Sequence, residues 1–220
     1  MCLVASIFGV ILKNWWLESF YIFSAIGIYL AFDKTSFKVT PLIICSYVLL
    51  IVADGIAIIN YQEYEILTIV LSLISYGIFN IFLFLEFKRP RIKKIDILSL
   101  SIIYIFIFWL IYMFAGIIEN NADSGSETDW VFYVFMANMV ILLLGSFTHY
   151  TSRSYWASMW LVVIASCAVI SESAFFLTEY LIETKALKII YIIFHLVWFY
   201  ATLCYAQKRR KTNKFPLLGI

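Results

Sequence analysis

The 220-residue sequence predicts an all-α fold, a polytopic transmembrane helical bundle, on three observations. Hydrophobic residues make up 64% of the chain, charged residues only 14%, and mean hydropathy is +0.94. Soluble domains hold nearer half apolar and a quarter charged residues, and a soluble core of this size could not enclose so many Ile, Leu and Phe side chains. Apolar runs of membrane-crossing length also recur from one end of the sequence to the other, parted by short charged segments. In lipid, such runs satisfy their backbone polar groups only as helices.

About 20 helical residues cross ~30 Å of hydrocarbon. On that ruler the spans fall at 15–32, 41–60, 65–86, 96–118, 130–149, 155–180 and 187–207, seven in all. The opening MCLVASIFGVIL is apolar but short. It is either an incomplete eighth helix or an extension of the first span through Lys13 and Asn14. No basic segment precedes it, unlike the start of a cleavable signal peptide.

The connections orient the bundle. KRPRIKK (88–94) holds five basic residues and no acid, KRRKTNK (208–214) is equally basic, and ENNADSGSETD (119–129) holds four acids and no base. Lys and Arg near span ends mark the cytoplasmic side. The two basic segments are separated by an even number of spans, so both lie inside, together with Arg153. YQEY (61–64) and IETK (182–185) then lie outside. Residues 1–207 form a single transmembrane helical domain, 208–220 a basic cytoplasmic tail, and the expected location is the cell (inner) membrane. Trp15, Trp16, Trp130, Tyr155, Trp156 and Tyr180 sit at span ends, where amphipathic rings favour the headgroup region.

The four cysteines (Cys2, Cys45, Cys167, Cys204) stand alone on separate segments, without CxxC spacing. They predict small buried apolar residues rather than disulfides or a thiolate metal site. No Gly-rich phosphate loop, HExxH, GxSxG or heptad repeat occurs. Neither a cofactor nor a metal nor a nucleic-acid partner is implied; homo-oligomerisation stays open.

Function is carried, if anywhere, by ionisable groups at membrane depth, since an unpaired charge there must be offset. Asp54 lies thirteen residues beyond Pro41, Glu172 seventeen beyond Tyr155, and His195 eight beyond Leu187. At 1.5 Å per residue, Asp54 and Glu172 stand ~20 Å and ~26 Å above the inner boundary, and His195 ~12 Å below the outer one. All three therefore fall in the outer half of the membrane. Glu172 has a plainer reading as a snorkelling residue near the interface. Asp54 has little snorkelling reach, so paired or functional burial is the stronger expectation for it. His195 is divided between hydrogen-bonded packing and a ligand role, and His149, beside a turn, is expected at the interface.

Ser171 and Ser173 flank Glu172, Ser166 precedes it, and Tyr191 lies one turn before His195. Ser72, Ser75, Asn80 and Asn138 on neighbouring spans are suited to interhelical hydrogen bonds. One His and two carboxylates on three spans, without a spacing signature, make a weak metal set. Two carboxyl groups suit acid–base chemistry better. Desolvation favours the protonated form of a carboxyl group, so one member can donate a proton while a better-solvated partner stays ionised. His195, Ser171, Ser173 and Asn80 are then candidate substrate-binding groups.

Several short motifs resemble the YhhN-like (lysoplasmalogenase) family of integral membrane proteins. They are VADGIAI around Asp54, SESAFFLTEYL around Glu172, the closing YAQ (205–207), Lys38-x-x-Pro41, and the aromatic-rich span ending NIFLF. The resemblance covers residues 38–207. It departs from the family's usual eight spans, from its Ser-Asp where this chain has Ser171-Glu172, and in having one span between Lys38-x-x-Pro41 and Asp54. What carries over is limited to Asp54 and Glu172 as the positions matching the family's acidic sites. The resemblance implies hydrolysis of the vinyl-ether bond of a membrane lysolipid, giving an aldehyde and a glycerophospho-headgroup. Protonation at carbon followed by water capture needs one protonated acid and one ionised carboxylate. Glu172 is the expected proton donor and Asp54 its ionised partner, with the roles exchangeable, and His195 orients water or the headgroup. Two other classes stay open: a non-enzymatic seven-span sensor with a polar ligand pocket, and a small transporter. The transporter is disfavoured by the lack of mid-span prolines and visible inverted repeats.

Overall fold

A hydrocarbon layer offers no water to backbone N–H and C=O groups, which leaves the helix as the stable local form for apolar runs of this length. The computed structural model describes residues 2–12, 19–33, 41–86, 94–121, 127–153, 156–180 and 184–212. They form α1 (Cys2–Leu12), α2 (Phe20–Asp33), α3 (Pro41–Glu86), α4 (Lys94–Asn121), α5 (Glu127–Arg153), α6 (Trp156–Tyr180) and α7 (Lys185–Thr212). No strand occurs among the described residues. Among the described residues, four helices are long and apolar enough to cross a membrane: α3, α5, α6 and α7. Large apolar side chains such as Ile105, Phe108 and Tyr112 point outward, as they do where the surrounding solvent is lipid. The chain is a helical membrane protein.

Continuous helix α3 is in fact a hairpin. Backbone angles leave the helical range at Asn60 (φ −163°, ψ 89°) and Tyr64 (φ −114°, ψ 24°). The Ser46 hydroxyl donates to the Ser75 carbonyl and the Ser75 hydroxyl to the Ser46 carbonyl, each at 2.9 Å. In a straight helix residues this far apart would stand ~43 Å from each other. The two arms, 41–59 and 65–86, correspond to the two spans expected there. The local cause is visible in NYQE: the Glu63 N–H donates to Asn60 Oδ1 at 3.4 Å, and Asn60 Nδ2 donates back to Glu63 Oε2 at 3.0 Å. That reciprocal pair closes the turn between the two arms.

The hairpin tip fixes one end of the bundle. Tyr180, closing α6, donates its hydroxyl to Glu65 and lies 3.4 Å from the Tyr61 hydroxyl. Lys185, opening α7, donates at 2.8 Å to the Ile11 carbonyl at the end of α1, where a cation complements the unsatisfied carbonyls of a helix C-terminus. We call this the hairpin end. α1 packs against both α2 and α7, so it is a helix of its own rather than an extension of α2; its eleven residues rise only ~16 Å.

Helices α6 and α7 make the most extensive contact, and α5 joins α6 to the hairpin. Small residues set the spacing. A Cβ on Gly145 would overlap Leu83 Cδ2, so α5 and the second arm of α3 approach closely because Gly145 has no side chain. Beside it, Asn80 Nδ2 donates to Asn138 Oδ1 at 2.6 Å and to the Asn138 carbonyl at 3.0 Å, while Asn138 Nδ2 donates to the Leu73 carbonyl at 3.2 Å. At the opposite end, His149 Nδ1 and the Ser158 hydroxyl stand 2.8 Å apart. His149 is therefore buried between α5 and α6, close to the turn that joins them.

Cys167 and Cys204 are buried as expected, but Cys2 is half-buried and Cys45 exposed; a lipid surrounding accepts a small apolar thiol as readily as a core does. The basic tail is not wholly separate, because α7 continues to Thr212. Residues 213–220, the segment Phe87–Lys93, Lys13–Glu18 with Trp15 and Trp16, Lys38 and Tyr155 lie outside the described residues.

Gly145→Ala is expected to lower stability in detergent by about 1–3 kcal/mol, the usual cost of overpacking, with Leu83→Ala in the same chain restoring part of it. Thermal unfolding of the purified single and double variants checks this, and an unchanged single variant would refute the close approach.

Candidate functional site

Four separate helical segments deliver one polar cluster toward the hairpin end. The first arm of α3 contributes Asp54, its second arm Tyr76, α6 contributes Glu172, and α7 contributes Tyr191 and His195 one turn apart on the same face. Tyr21 joins from α2. Burial is severe: Asp54 is 3% exposed, Glu172 8% and His195 0%. Glu172 is thus an interior residue and not a snorkelling one. Sequence-derived depth brought Asp54, Glu172 and His195 to similar levels, and the structure brings them together laterally as well.

The contacts form a chain of polar atoms. Tyr76 donates its hydroxyl to Glu172 Oε1 at 2.6 Å. The Tyr76 hydroxyl oxygen also lies 3.4 Å from His195 Nε2, and Nε2 lies 3.9 Å from Asp54 Oδ1. Tyr191 donates to Asp54 Oδ1 at 2.7 Å, and the Tyr21 and Tyr191 hydroxyls are 3.3 Å apart. By normal hydrogen-bond lengths, the links at 2.6 and 2.7 Å are firm, the one at 3.4 Å is long, and 3.9 Å is an approach rather than a bond. Each tyrosine has one proton to give. Tyr76 gives its own to Glu172, which leaves its oxygen able only to accept on the side facing Nε2. Nδ1 of His195 and Oδ2 of Asp54 are buried without a hydrogen-bond partner among the described residues.

From the three links, the carboxyl groups of Asp54 and Glu172 stand at most about 10 Å apart. That upper limit is comparable to the separations of hydrolytic carboxyl pairs that act from two sides of one substrate bond, ~5–9.5 Å. Here, however, the side chains of Tyr76 and His195 occupy the space between them. An aromatic shell seals the cluster. Tyr191 meets His195 edge-on at 4.7 Å between ring centroids, Phe199 stacks on His195 at 5.8 Å, and Trp198 meets Tyr76 edge-on at 5.7 Å.

Glu172 of this cluster opens toward a cavity. A narrow pocket between α4, α5 and α6, lined by Met136, Met139 and Phe176 among others, ends on Glu172 and Ser173. It shares Ile107, Leu143, Val169 and Ser173 with a wide groove of about 630 Å³ that continues to Leu187 and Ile190 on α7. The remaining expected site residues lie elsewhere. Ser171 donates to the Ala168 carbonyl of its own helix at 3.0 Å, and Asn80 is held by Asn138 on α5. Ser173 stands where pocket and groove join. Among the described residues no cluster of three or more metal-ligating side chains occurs.

The sequence reading left out Tyr76, although it bonds Glu172. A tyrosine in an aromatic-rich span carries no mark of its own, and its position four residues before Asn80 was the only available hint, placing both on one helix face. Compared with family models, curated proteins and solved structures, the chain matches none.

A double-mutant cycle of Tyr76→Phe and Glu172→Gln, read by thermal unfolding in detergent, is expected to give a coupling energy of about 0.6–1.7 kcal/mol, the range for interhelical hydrogen bonds in membranes. Strict additivity would mean that the 2.6 Å contact contributes nothing to the bundle.

Proposed function

We propose that this chain is an integral membrane hydrolase cleaving the vinyl-ether bond of a lysoplasmalogen-like lysolipid by carboxylate acid–base catalysis. The observation that carries this reading is Glu172, a buried carboxyl group at the inner end of a pocket that joins a lateral apolar groove. A lipid arriving sideways from the bilayer meets that group first. The resemblance of the Asp54 and Glu172 segments to the lysoplasmalogenase family supplies the bond type.

In the proposed reaction Glu172 delivers its proton to the vinyl carbon remote from the ether oxygen, leaving an oxocarbenium ion. The resulting carboxylate draws a proton from an attacking water, and the hemiacetal formed collapses to an aldehyde and the free hydroxyl of the glycerophospho-headgroup. One carboxyl group can thus act first as acid and then as base. Tyr76 holds Glu172 in place by donating to Oε1. Asp54 lines neither cavity, so its part is exercised through His195, as a positioning residue for the Tyr76–Glu172 pair. Within this reading the protein crosses the membrane seven times, counting the hairpin arms separately. Its basic segments lie on the cytoplasmic side of the cell membrane by the positive-inside rule, which puts the cluster in the outer half.

A second reading, a non-enzymatic lipid sensor, draws on the groove lining, which is apolar except for Ser166, Ser173 and the nearby Glu172. A lipid recovered unchanged after incubation with the pure protein favours it over hydrolysis.

Glu172→Gln is expected to lower turnover of a lysoplasmalogen in detergent by about 10²–10⁴, the usual contribution of a general acid or base, with unfolding temperature and elution volume close to those of the parent. Asp54→Asn is expected to lower turnover less. Full activity in both variants eliminates the assignment.

A further inference from the structure

Helix α4 is the least embedded of the long helices. Of the described elements it packs chiefly on α5, and Ile105, Phe108 and Tyr112 face away from the bundle. Among the described residues its other side does not close on α6 and α7. The gap is the groove, walled by Ile103 and Phe106 of α4, Phe147 of α5, Leu177 of α6 and Ile190 of α7, with Val169 and Ser173 on its floor. The groove therefore runs along the membrane normal at hydrocarbon depth, toward the hairpin end.

Three features say what fits there. The walls are apolar, so the occupant is hydrocarbon over most of its length. The volume, about 630 Å³, falls in the range that encloses one drug-sized molecule, comparable to one alkyl chain. The floor residues Val169 and Ser173 also belong to the pocket that ends on Glu172, and that pocket is narrow, about 30 Å³, room for little more than one water-sized group. Met136 and Met139 line it, and unbranched thioether side chains yield readily to a guest.

We infer that the groove between α4 and α6–α7 is the binding site for the single alkyl chain of a lysolipid, with Ser173 at the fork where the head-proximal part of the chain turns in toward Glu172. This extends the reading of Glu172 as the reacting group, and it is tested without turnover so that either can fail alone. The headgroup then stays at the hairpin end, where Leu187 and Ile190 close the groove.

The test is photolabelling in dioleoylphosphatidylcholine nanodiscs with lysophosphatidylcholine carrying a diazirine midway along its chain, mapped by peptide mass spectrometry. Label is expected to concentrate on groove residues such as Ile103, Val169 and Leu177, and to fall with excess unlabelled lysophosphatidylcholine. Ser173→Trp should reduce it roughly tenfold, equivalent to ~1.4 kcal/mol of affinity, while the outward-facing Ile105→Trp should leave it unchanged. Should Ser173→Trp fail to fold, Val169→Phe obstructs the same floor. Label spread equally over Ile105, Phe108 and Tyr112 overturns the proposal, as does label indifferent to both obstructing substitutions. Equal groove labelling by a two-chain diazirine phospholipid overturns the single-chain assignment.

Discussion

The Tyr76 hydroxyl donating to Glu172 at 2.6 Å is the contact around which this bundle is arranged. In a hydrocarbon layer a carboxyl group has no water to fall back on, and its partner must come from another helix. Tyr76 supplies that partner from the second hairpin arm to α6. Its oxygen also faces His195 of α7, which in turn faces Asp54 of the first arm. Four segments are thereby registered against one another by one line of polar atoms. The hairpin makes this geometry available: by folding α3 back, the Ser46–Ser75 clasp brings Asp54 and Tyr76 alongside the same pair of helices.

The cost of burying these groups also explains their surroundings. Aromatic rings from α3, α5 and α7 close over the cluster, excluding lipid and water while leaving Glu172 one narrow exit. On the exit side the packing is different in kind. α4 rests chiefly on α5 and leaves a groove beside α6 and α7, so the part of the bundle nearest the pocket is also the part held by the fewest neighbours. Loosely packed elements are the ones that open at low cost. A rigid polar line joined to a yielding apolar wall is an arrangement in which a lipid chain can enter without disturbing the residues that hold the carboxyl group.

Much of the fold was legible in the chain itself. The apolar runs marked the helices to within a few residues at most ends, and the polar YQEY (61–64) parted the two spans that the structure shows as the hairpin arms. The opening apolar stretch was ambiguous because neither its length nor its composition distinguishes a continuing helix from one turned back. The packing of α1 on α2 and α7 decides that. Asn80 and Asn138 fitted the expectation of interhelical bonding, whereas Asn80's alternative place in a binding site was indistinguishable from sequence, because the same amide serves either purpose.

Composition and spacing alone determined that this protein folds in lipid, where its helices run, and how deep Asp54, Glu172 and His195 lie, because depth follows from a fixed rise per residue. Only the tertiary structure decided which groups meet. Depth leaves each helix free to rotate about its axis and to stand beside any neighbour, so residues at one level can face each other or face lipid. Packing of α6 on α7 and of both on the hairpin removed that freedom. It turned Glu172 inward to Tyr76, set His195 between the two carboxyl groups, and left Glu172, not Asp54, at the end of the pocket that joins the groove.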